Sequence, residues 1–305
     1  MKDNFFSSQD QISEFLTAIQ GRSEIPLKFE YLNKGAMLWK KAANDRAYGL
    51  SRTEKALLTD NAASISRTTG PCNVFDLGCG DGTKASILLK EMAKDRAVKY
   101  VPIDISADML DIACSEIKKI KNIQIHPAVQ DFEEGNLSNI SHKHRDRPNL
   151  FLFLGNTLGN CWNKSRVLTN IRESMTRNDY ALIGIENVST NTENLLEKYR
   201  NPALFAIQSN VLRSIGIQLA DGAFEVKFNK EKSQVETRFV IKKNLRFEHP
   251  PLDLKKGQKI LLMLSYKATP QALSKLFSST GLKIVKLFSD SKKTYTLALV
   301  MTTKL

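Results

Sequence analysis

The chain has 305 residues, of which 42% are hydrophobic and 25% charged, and its formal net charge is +13. This length and apolar content predict one large domain or two adjoining domains with a buried core. The sequence has no apolar run long enough to cross a membrane, and residues 1–6 lack the apolar core of a signal peptide, so we expect a soluble cytoplasmic protein without a membrane partner. The cysteines and histidines lack metal-ligand spacing, and no metal site is predicted.

The first predicted elements are helices. Apolar residues at helical spacing predict one helix over residues 12–19 that stops at Gly21, and another over residues 37–43. A segment dense in polar side chains, residues 48–54, leads into a third helix through Leu58. A segment of this kind is suited to covering a ligand.

The stretch 74–83 organises the first half of the chain. An apolar strand carrying Asp76 runs into glycines at Gly78, Gly80 and Gly82, and residues at helical spacing follow. Glycine permits positive φ and leaves room for a ligand close to the backbone. A strand, a glycine turn and a helix in this order predict that a nucleotide-like cofactor lies across the turn.

Two acidic positions specify the cofactor further. Asp104 ends a second apolar run, 22 residues after Gly82, where a carboxylate can accept hydrogen bonds from both ribose hydroxyls. A third run, residues 123–129, precedes Asp131 and Phe132, which suit the amino group and the ring of adenine. These intervals favour adenosine without a pyrophosphate, and therefore S-adenosylmethionine (SAM) over NAD, and the sequence contains no P-loop motif.

Later segments complete a parallel sheet and then interrupt it. A continuous apolar run, residues 150–154, predicts a strand buried on both faces, and the Gly-Asn-Thr-Leu-Gly-Asn turn that follows should face the methyl donor and the acceptor. Another strand is predicted over residues 180–185.

From residue 189 to 267 the alternation of strand and crossover helix breaks down, which predicts an α+β insertion. Within it we predict helices over residues 195–199 and 206–215 and strands over residues 223–228, 234–247 and 259–266. Beyond it we predict a helix over residues 270–279 and strands over residues 282–288 and 294–301, which close the sheet as an antiparallel pair.

Six segments together resemble the histidine-specific Nα-methyltransferase family of ergothioneine biosynthesis. They are residues 48–54, 76–82, 100–106, 155–160, 205–212 and 265–267. The pieces Tyr-Val-Pro-x-Asp-x-Ser and Gly-x-Thr-x-Gly-Asn are much more specific than the glycine turn. The resemblance covers the chain from about residue 25 to residue 300.

The resemblance implies a fold class and a division of the chain. The fold is α/β, a Rossmann-like SAM methyltransferase sheet with an α+β substrate domain formed by the N-terminal region and an insert before the last helix and two strands. The predicted parts are residues 1–62 (N-terminal helices, part of the substrate domain), 63–188 (SAM-binding domain), 189–268 (substrate-domain insert) and 269–305 (end of the SAM-binding domain).

The turn chemistry and the resemblance together give a set of site residues. The predicted cofactor-binding residues are Asp76, Gly78, Gly80, Gly82, Lys84, Asp104, Ile105, Asp131, Phe132 and Gly155. The predicted acceptor-binding residues are Tyr48, Gly155, Thr157, Asn160, Tyr199, Thr237, Met263 and Ser265. Among them, the resemblance gives Tyr48, Asn160 and Tyr199 the catalytic task of positioning the amine.

Two positions depart from the family pattern. Histidine-selective members carry a glutamate where this chain has Met263, and Thr237 stands where a larger apolar residue is usual. A carboxylate accepts from an imidazole N–H, whereas a thioether accepts weakly and presents apolar surface. The sequence therefore predicts an apolar or aromatic acceptor in place of histidine, unless Met263 is a core residue and another group binds the side chain.

The predicted function is SAM-dependent N-methylation of a small amino acid or amino-acid-derived amine by a monomer or weak homodimer. Residues 255–293 hold nine lysines against one acid, Asp290, so an RNA or protein methyltransferase is an alternative. Most of these lysines alternate with apolar residues and no RNA-binding module is visible, which argues against nucleic acid. A catalytically inactive SAM-binding protein is a further alternative.

Overall fold

The computed structural model describes residues 5–6, 8–43, 45, 49–135 and 137–303. Tyr48, which is predicted to bind the acceptor, lies outside the described residues. The chain divides into two compact units. The first unit comprises Met1–Gly49 and Thr190–Tyr266, and the second comprises Leu50–Ser189 and Lys267–Leu305.

The α-helices of the described chain, in order, are α1 (Gln9–Arg22), α2 (Gly35–Ala43), α3 (Leu50–Thr69), α4 (Thr83–Met92), α5 (Ala107–Ile117), α6 (Ser138–Ser141), α7 (Thr157–Asn160), α8 (Lys164–Glu173), α9 (Thr192–Tyr199), α10 (Pro202–Ser214) and α11 (Pro270–Ser279). Short 3₁₀-helices cover Leu27–Tyr31, His142–His144 and Leu219–Asp221.

The strands, in order, are β1 (Asn73–Leu77), β2 (Val98–Asp104), β3 (Ile123–Ile125), β4 (Ala128–Val129), β5 (Asn149–Phe153), β6 (Tyr180–Glu186), β7 (Gly222–Asn229), β8 (Gln234–Ile241), β9 (Leu245–Glu248), β10 (Pro251–Leu254), β11 (Lys259–Tyr266), β12 (Leu282–Ser289) and β13 (Tyr295–Thr302).

The second unit contains a mainly parallel sheet with the strand order β12-β13-β6-β5-β1-β2-β3, and β4 also pairs with β2. Strands β1 to β6 pair in parallel, whereas β13 is antiparallel to both β6 and β12. Every residue of β1 and of β5 is buried, as expected for central strands of a sheet covered on both faces. The predicted Rossmann-like α/β fold is confirmed.

Strand β1 is the point at which the chain order reverses, because β2 lies on one side of it and β5 on the other. In open α/β sheets, ligands bind beyond the carboxyl ends of the strands at such a point. Two turns therefore define the candidate site of this unit, residues 78–82 after β1 and residues 155–160 after β5.

The first unit is built on an antiparallel sheet, β11-β8-β7, with a separate pair, β9 and β10. One apolar cluster joins residues from the N-terminal segment, from α10 and from the sheet. Its members include Phe15, Ile19, Phe29, Val211, Leu212, Phe239 and Ile260. The N-terminal segment and the insert thus share a core, although about 140 residues of chain separate them.

The structure corrects two predicted elements. Helix α1 continues through Gly21 to Arg22, because Ser23 adopts the left-handed conformation (φ 51°) and caps the helix. The strand predicted over residues 234–247 divides into β8 and β9, because Lys243 pairs with Asp221 and the side chain of Asn244 accepts from Lys256 N, which favours a turn between them.

The unit boundary also differs in position from the predicted domain boundary. The sequence placed the start of the SAM-binding part at residue 63, within what is now α3, whereas all of α3 belongs to the second unit. Helix α3 carries Glu54, whose contacts with the sheet turns are described below.

Within the described residues, no helix is both long and apolar enough to cross a membrane. In the same part of the chain, no three histidine, cysteine, aspartate or glutamate side chains are grouped so as to hold a metal ion.

Candidate functional site

The three glycines after β1 all have positive φ, 65° at Gly78, 55° at Gly80 and 73° at Gly82. At Gly82 an added Cβ would lie 3.0 Å from the Cα atom of Ala113, so this glycine lets α4 approach α5. At Gly80 the nearest atom to an added Cβ is the methyl carbon of Met109, at 3.9 Å. Gly80 therefore leaves the surface of the turn open, whereas Gly82 serves packing.

Asp104 lies at the end of β2 and is 7% exposed. Its two carboxylate oxygens accept separately from the backbone N–H groups of Ser106 (3.0 Å) and Gly80 (3.4 Å). Burial raises the pKa of this carboxyl, and these backbone N–H groups offset part of the rise. A carboxylate has about four acceptor sites, so Asp104 is fixed beside the turn with capacity left for a ligand.

Three predicted segments meet at Gly78. The position of an added Cβ there lies 3.4 Å from the ring of Phe132 and 3.8 Å from the methyl group of Thr157. The ring of Phe132 packs edge-to-face on Phe153, with centroids 5.2 Å apart, and its carbonyl accepts from the side chain of Asn170. The fold thus brings together the glycine turn, the Asp-Phe pair and the turn after β5.

Asp76 is buried within the sheet and accepts a hydrogen bond from the hydroxyl of Tyr100 at 2.7 Å. Burial raises its pKa to about 7, and the hydrogen bond from Tyr100 opposes this rise. Asp76 therefore has a partner inside the protein, on the strand next to the glycine turn.

Glu54, on α3, is the centre of a buried network that the sequence did not predict. Both of its oxygens accept from the N–H of Gly155 at 2.9 Å, and it also accepts from the hydroxyl of Tyr295 at 2.7 Å. Lys84 forms an ion pair with it at 2.7 Å. The hydroxyl of Tyr295 in turn accepts from the N–H of Asn156 at 3.0 Å, and burial beside Glu54 raises its pKa well above the usual value.

The sequence indicates that Glu54 has a buried partner, but it gives no indication that Tyr295 belongs to this network. Glu54 falls on the same helix face as the buried residues Leu50, Leu57 and Leu58, and an acid on an apolar face indicates a buried partner. Tyr295 begins the last strand, and nothing near it in the sequence relates it to Gly155.

Asn156 shapes the turn after β5. It is fully buried in the left-handed conformation (φ 58°), and its side chain accepts from the N–H of Glu186 and donates to Asn160. At Gly159 an added Cβ would lie 2.6 Å from the side chain of Asn156, so only glycine fits there. The side chain of Asn160 is held from within the second unit.

A buried ion pair lies beside this turn. The ammonium of Lys267 donates to Glu186 at 2.5 Å, and neither side chain is appreciably exposed. Thr157 has an internal partner as well, since its hydroxyl donates to the carbonyl of Leu154 at 2.6 Å. These contacts fix the backbone of the turn before any ligand arrives.

In the first unit, the hydroxyls of Tyr199 and Ser265 are hydrogen-bonded at 2.9 Å, and both residues are buried. Met263 on β11 is paired across the strands with Thr237 on β8. Side chains two residues apart share a face of a strand, so Met263 and Ser265 lie on one face with Thr237. The hydroxyl of Thr237 is buried and has no hydrogen-bond partner.

The predicted acceptor residues thus fall into two sets. Gly155, Thr157 and Asn160 belong to the second unit. The first unit contains Tyr199, Thr237, Met263 and Ser265. Each set is grouped within its own unit. A single acceptor site that uses both sets stays a prediction.

Comparison with known proteins gives a family and relatives. A family model described as "histidine-specific methyltransferase, SAM-dependent" matches residues 8–302. The histidine N-alpha-methyltransferase of Mycolicibacterium smegmatis is 26% identical over 293 residues, which cover 91% of this chain and 90% of that protein. The 4-dimethylallyltryptophan N-methyltransferase of Claviceps fusiformis is 29% identical over 142 residues, which cover 45% of this chain and 40% of that protein.

Among solved structures, the 1,6-didemethyltoxoflavin-N1-methyltransferase of Burkholderia thailandensis matches with a TM-score of 0.48 and 11% identity. The match covers 92% of each chain.

Proposed function

This chain belongs to the family of SAM-dependent, histidine-specific methyltransferases, and we propose that it methylates the amine of a small amino acid or amino-acid derivative other than histidine. It is a SAM-dependent methyltransferase, so the proposal concerns the acceptor and the residues that bind it.

The observation that carries the proposal is the buried pair of Thr237 and Met263. Neither β8 nor β11 contributes a carboxylate to the face that these residues share. The single acid of β8, Glu236, alternates to the other face and is hydrogen-bonded to Arg238 at 2.9 Å. An imidazole would therefore find no charged acceptor on this face, whereas an apolar or aromatic side chain would pack against the thioether.

The range of acceptors named among the relatives supports this reading. The Mycolicibacterium relative is named for histidine, and the Claviceps relative is named for a prenylated tryptophan. We therefore propose an acceptor with an amino-acid amine and a largely apolar or aromatic side chain.

The residues around the glycine turn fit an adenosyl cofactor, because Gly80 leaves the turn open and Asp104 has unused acceptor sites. In the proposed mechanism Asp104 would hold the ribose of the cofactor, Gly78 and Gly80 would leave room for it at the turn, and Phe132 would bind the adenine. SAM supplies a methyl group made electrophilic by its sulfonium.

The remaining task of the protein is to position an unprotonated amine in line with that methyl group. We assign this task to Asn160 and Tyr199, with Tyr48, and we assign the amino and carboxylate groups of the acceptor to Gly155 and Thr157. Exclusion of water lowers the pKa of an ammonium group, which favours the neutral, nucleophilic amine.

The cofactor site is tested by Asp104→Asn, measured by calorimetry with SAM and with S-adenosylhomocysteine. Loss of charge-assisted hydrogen bonds to the ribose should weaken binding about 10-fold to 100-fold. Asp95→Asn, at an exposed loop position, is the matched control and should bind as the wild type does. Unchanged affinity in Asp104→Asn would show that the cofactor lies elsewhere.

The acceptor is tested with labelled SAM and a panel of amino acids and amines. Met263→Glu should raise kcat/KM for histidine about 10-fold or more, because a carboxylate then accepts from the imidazole, and it should lower kcat/KM for apolar acceptors. Met263→Leu conserves volume and should leave histidine a poor substrate. A wild type that prefers histidine would refute the proposal.

We also propose that the enzyme works in the cytoplasm as a monomer or weak homodimer, without nucleic acid. The free thiols of Cys72, Cys79, Cys114 and Cys161 suit a reducing compartment. Methyl incorporation into tRNA that falls as salt is raised would instead support an RNA substrate.

A further inference from the structure

Buried polar atoms without a partner are unevenly distributed in the described chain. Buried polar groups in proteins are nearly always hydrogen-bonded, and the exceptions require an explanation. In the second unit the exception among described residues is the Nε of Arg172. In the first unit, again among described residues, the exceptions are Glu30 Oε1, Trp39 Nε1, Gln208 Oε1, Asn210 Nδ2 and Thr237 Oγ1.

Glu30 is the most costly of these exceptions. It lies on the 3₁₀-helix Leu27–Tyr31, directly after the core residue Phe29, and is 2% exposed. A carboxylate buried without a cation or donor is strongly unfavourable. Burial accordingly raises the pKa of Glu30 to about 8, and the nearby indole of Trp39 offsets part of that rise without reaching hydrogen-bond geometry.

Trp39 and Asn210 lie close to Glu30 in the structure. The indole of Trp39 stacks on Tyr31, the residue after Glu30, with centroids 5.5 Å apart and planes 10° apart. At Gly35 an added Cβ would lie 1.9 Å from the carbonyl oxygen of Glu30 and 4.0 Å from the amide of Asn210. Gly35 therefore allows the 3₁₀-helix, α2 and α10 to meet at one place.

Glu30 and Thr237 each lie close in sequence to a residue of the same apolar cluster. Phe29, next to Glu30, and Phe239, two residues from Thr237 on the same face of β8, both belong to that cluster. Leu212 also belongs to it and lies one turn along α10 from Gln208, on the same helix face. The unpartnered atoms thus come from elements packed on one core.

We propose that Glu30, with Trp39 beside it, binds a nitrogen that donates a hydrogen bond from the acceptor's side chain, such as an indole N–H, an amide or a second amino group. This inference rests on the proposed function and specifies its substrate class. The chain places a buried carboxyl on the 3₁₀-helix near its N-terminus, while β11 carries Met263 in place of an acid. The side chain of the acceptor would then be largely apolar and would carry an N–H group that donates to Glu30.

Glu30 suits this task in either protonation state. A protonated carboxyl still accepts through its carbonyl oxygen, and an ionised carboxyl accepts more strongly. A site built to accept from an N–H discriminates sharply against an isostere that lacks it, because the buried acceptor is then left unpaired.

The test uses matched pairs of acceptors with labelled SAM. Tryptophan is compared with 3-benzothienylalanine, in which sulfur replaces the indole N–H, and lysine is compared with norleucine. The wild type should prefer the N–H member of at least one pair by about 10-fold or more in kcat/KM. Glu30→Leu should reduce that preference to within about threefold, mainly through KM, while the affinity for S-adenosylhomocysteine stays unchanged.

Glu248→Gln, an exposed position in the same unit, is the control and should keep the preference. The wild-type comparison is decisive even if Glu30→Leu does not fold. If amines are methylated but neither pair is discriminated, or if Glu30→Leu keeps the preference, the inference fails and the proposed function stands. If the cofactor binds but no amine in the panel is methylated, the proposed function fails and the inference fails with it.

Discussion

The two units treat their buried polar groups differently. In the second unit Glu54 satisfies Gly155, Lys84 and Tyr295 at once, and Glu186 is paired with Lys267. In the first unit Glu30 and Thr237 are buried with unpaired atoms. We infer that the second unit is preorganised by its own contacts, whereas the first unit keeps polar groups that an acceptor must satisfy.

Breaking the satisfied network should have the largest effect. Glu54→Ala leaves two buried donors, the N–H of Gly155 and the hydroxyl of Tyr295, without an acceptor and leaves Lys84 without its counter-ion. Removing one partner of a buried ion pair typically costs about 3–5 kcal/mol of unfolding free energy. Urea unfolding followed by circular dichroism should show a loss of this size.

Glu91→Ala is the matched control, because Glu91 pairs with Lys94 on the exposed side of the same unit. Exposed pairs contribute about 0–1 kcal/mol, so this variant should unfold close to the wild type. Equal losses in the two variants would mean that the Glu54 network does not stabilise the second unit more than an exposed ion pair does.

Because Glu30 is buried, the free energy of unfolding should depend on pH. Its pKa rises from 4.5 to about 8 on folding, so between these values the native state binds the proton and the unfolded state releases it. The free energy of unfolding should therefore fall as pH rises from about 5 to about 8, by a few kcal/mol, and level off above that range.

Glu30→Gln removes this ionisation and retains nearly the same shape. Asp76, whose pKa burial raises to about 7, contributes equally to both proteins, so the difference between the wild type and Glu30→Gln isolates Glu30. The wild type should lose stability relative to the variant as pH rises. Parallel stability curves from pH 5 to pH 9 would show that Glu30 is paired or hydrated in solution.

The second unit is the part of the fold that local sequence signals predict best. The glycine turn after β1, the Ser106 cap of α5 and the buried run of β5 are each encoded within a few residues, and the structure has all three. The cap, for example, accepts from Met109 N as an N-cap serine should.

Other features depend on contacts that no local pattern encodes. Glu54 and Tyr295 are 241 positions apart, and the packing of Gly82 against Ala113 requires the mutual position of two helices. Glu30 shows the same limit, because its sequence neighbours give no sign that one oxygen of its carboxyl is buried without a hydrogen-bond partner. Such residues become visible only when distant segments are brought together.

The smallest predicted effect is that of removing one buried threonine hydroxyl, and its sign should differ between the two units. Thr237→Val removes a buried hydroxyl that has no partner, so it should leave the free protein unchanged or stabilise it by about 1 kcal/mol. Thr280→Val removes a hydroxyl that donates to Leu276 and Phe277 at 3.0 Å, so it should cost about 1 kcal/mol. Both changes in unfolding free energy are to be measured by urea unfolding, each variant against the wild type. If Thr237→Val loses as much stability as Thr280→Val, the hydroxyl of Thr237 is hydrogen-bonded in the free protein. The contrast between the units would then not extend to the strand face that carries Met263.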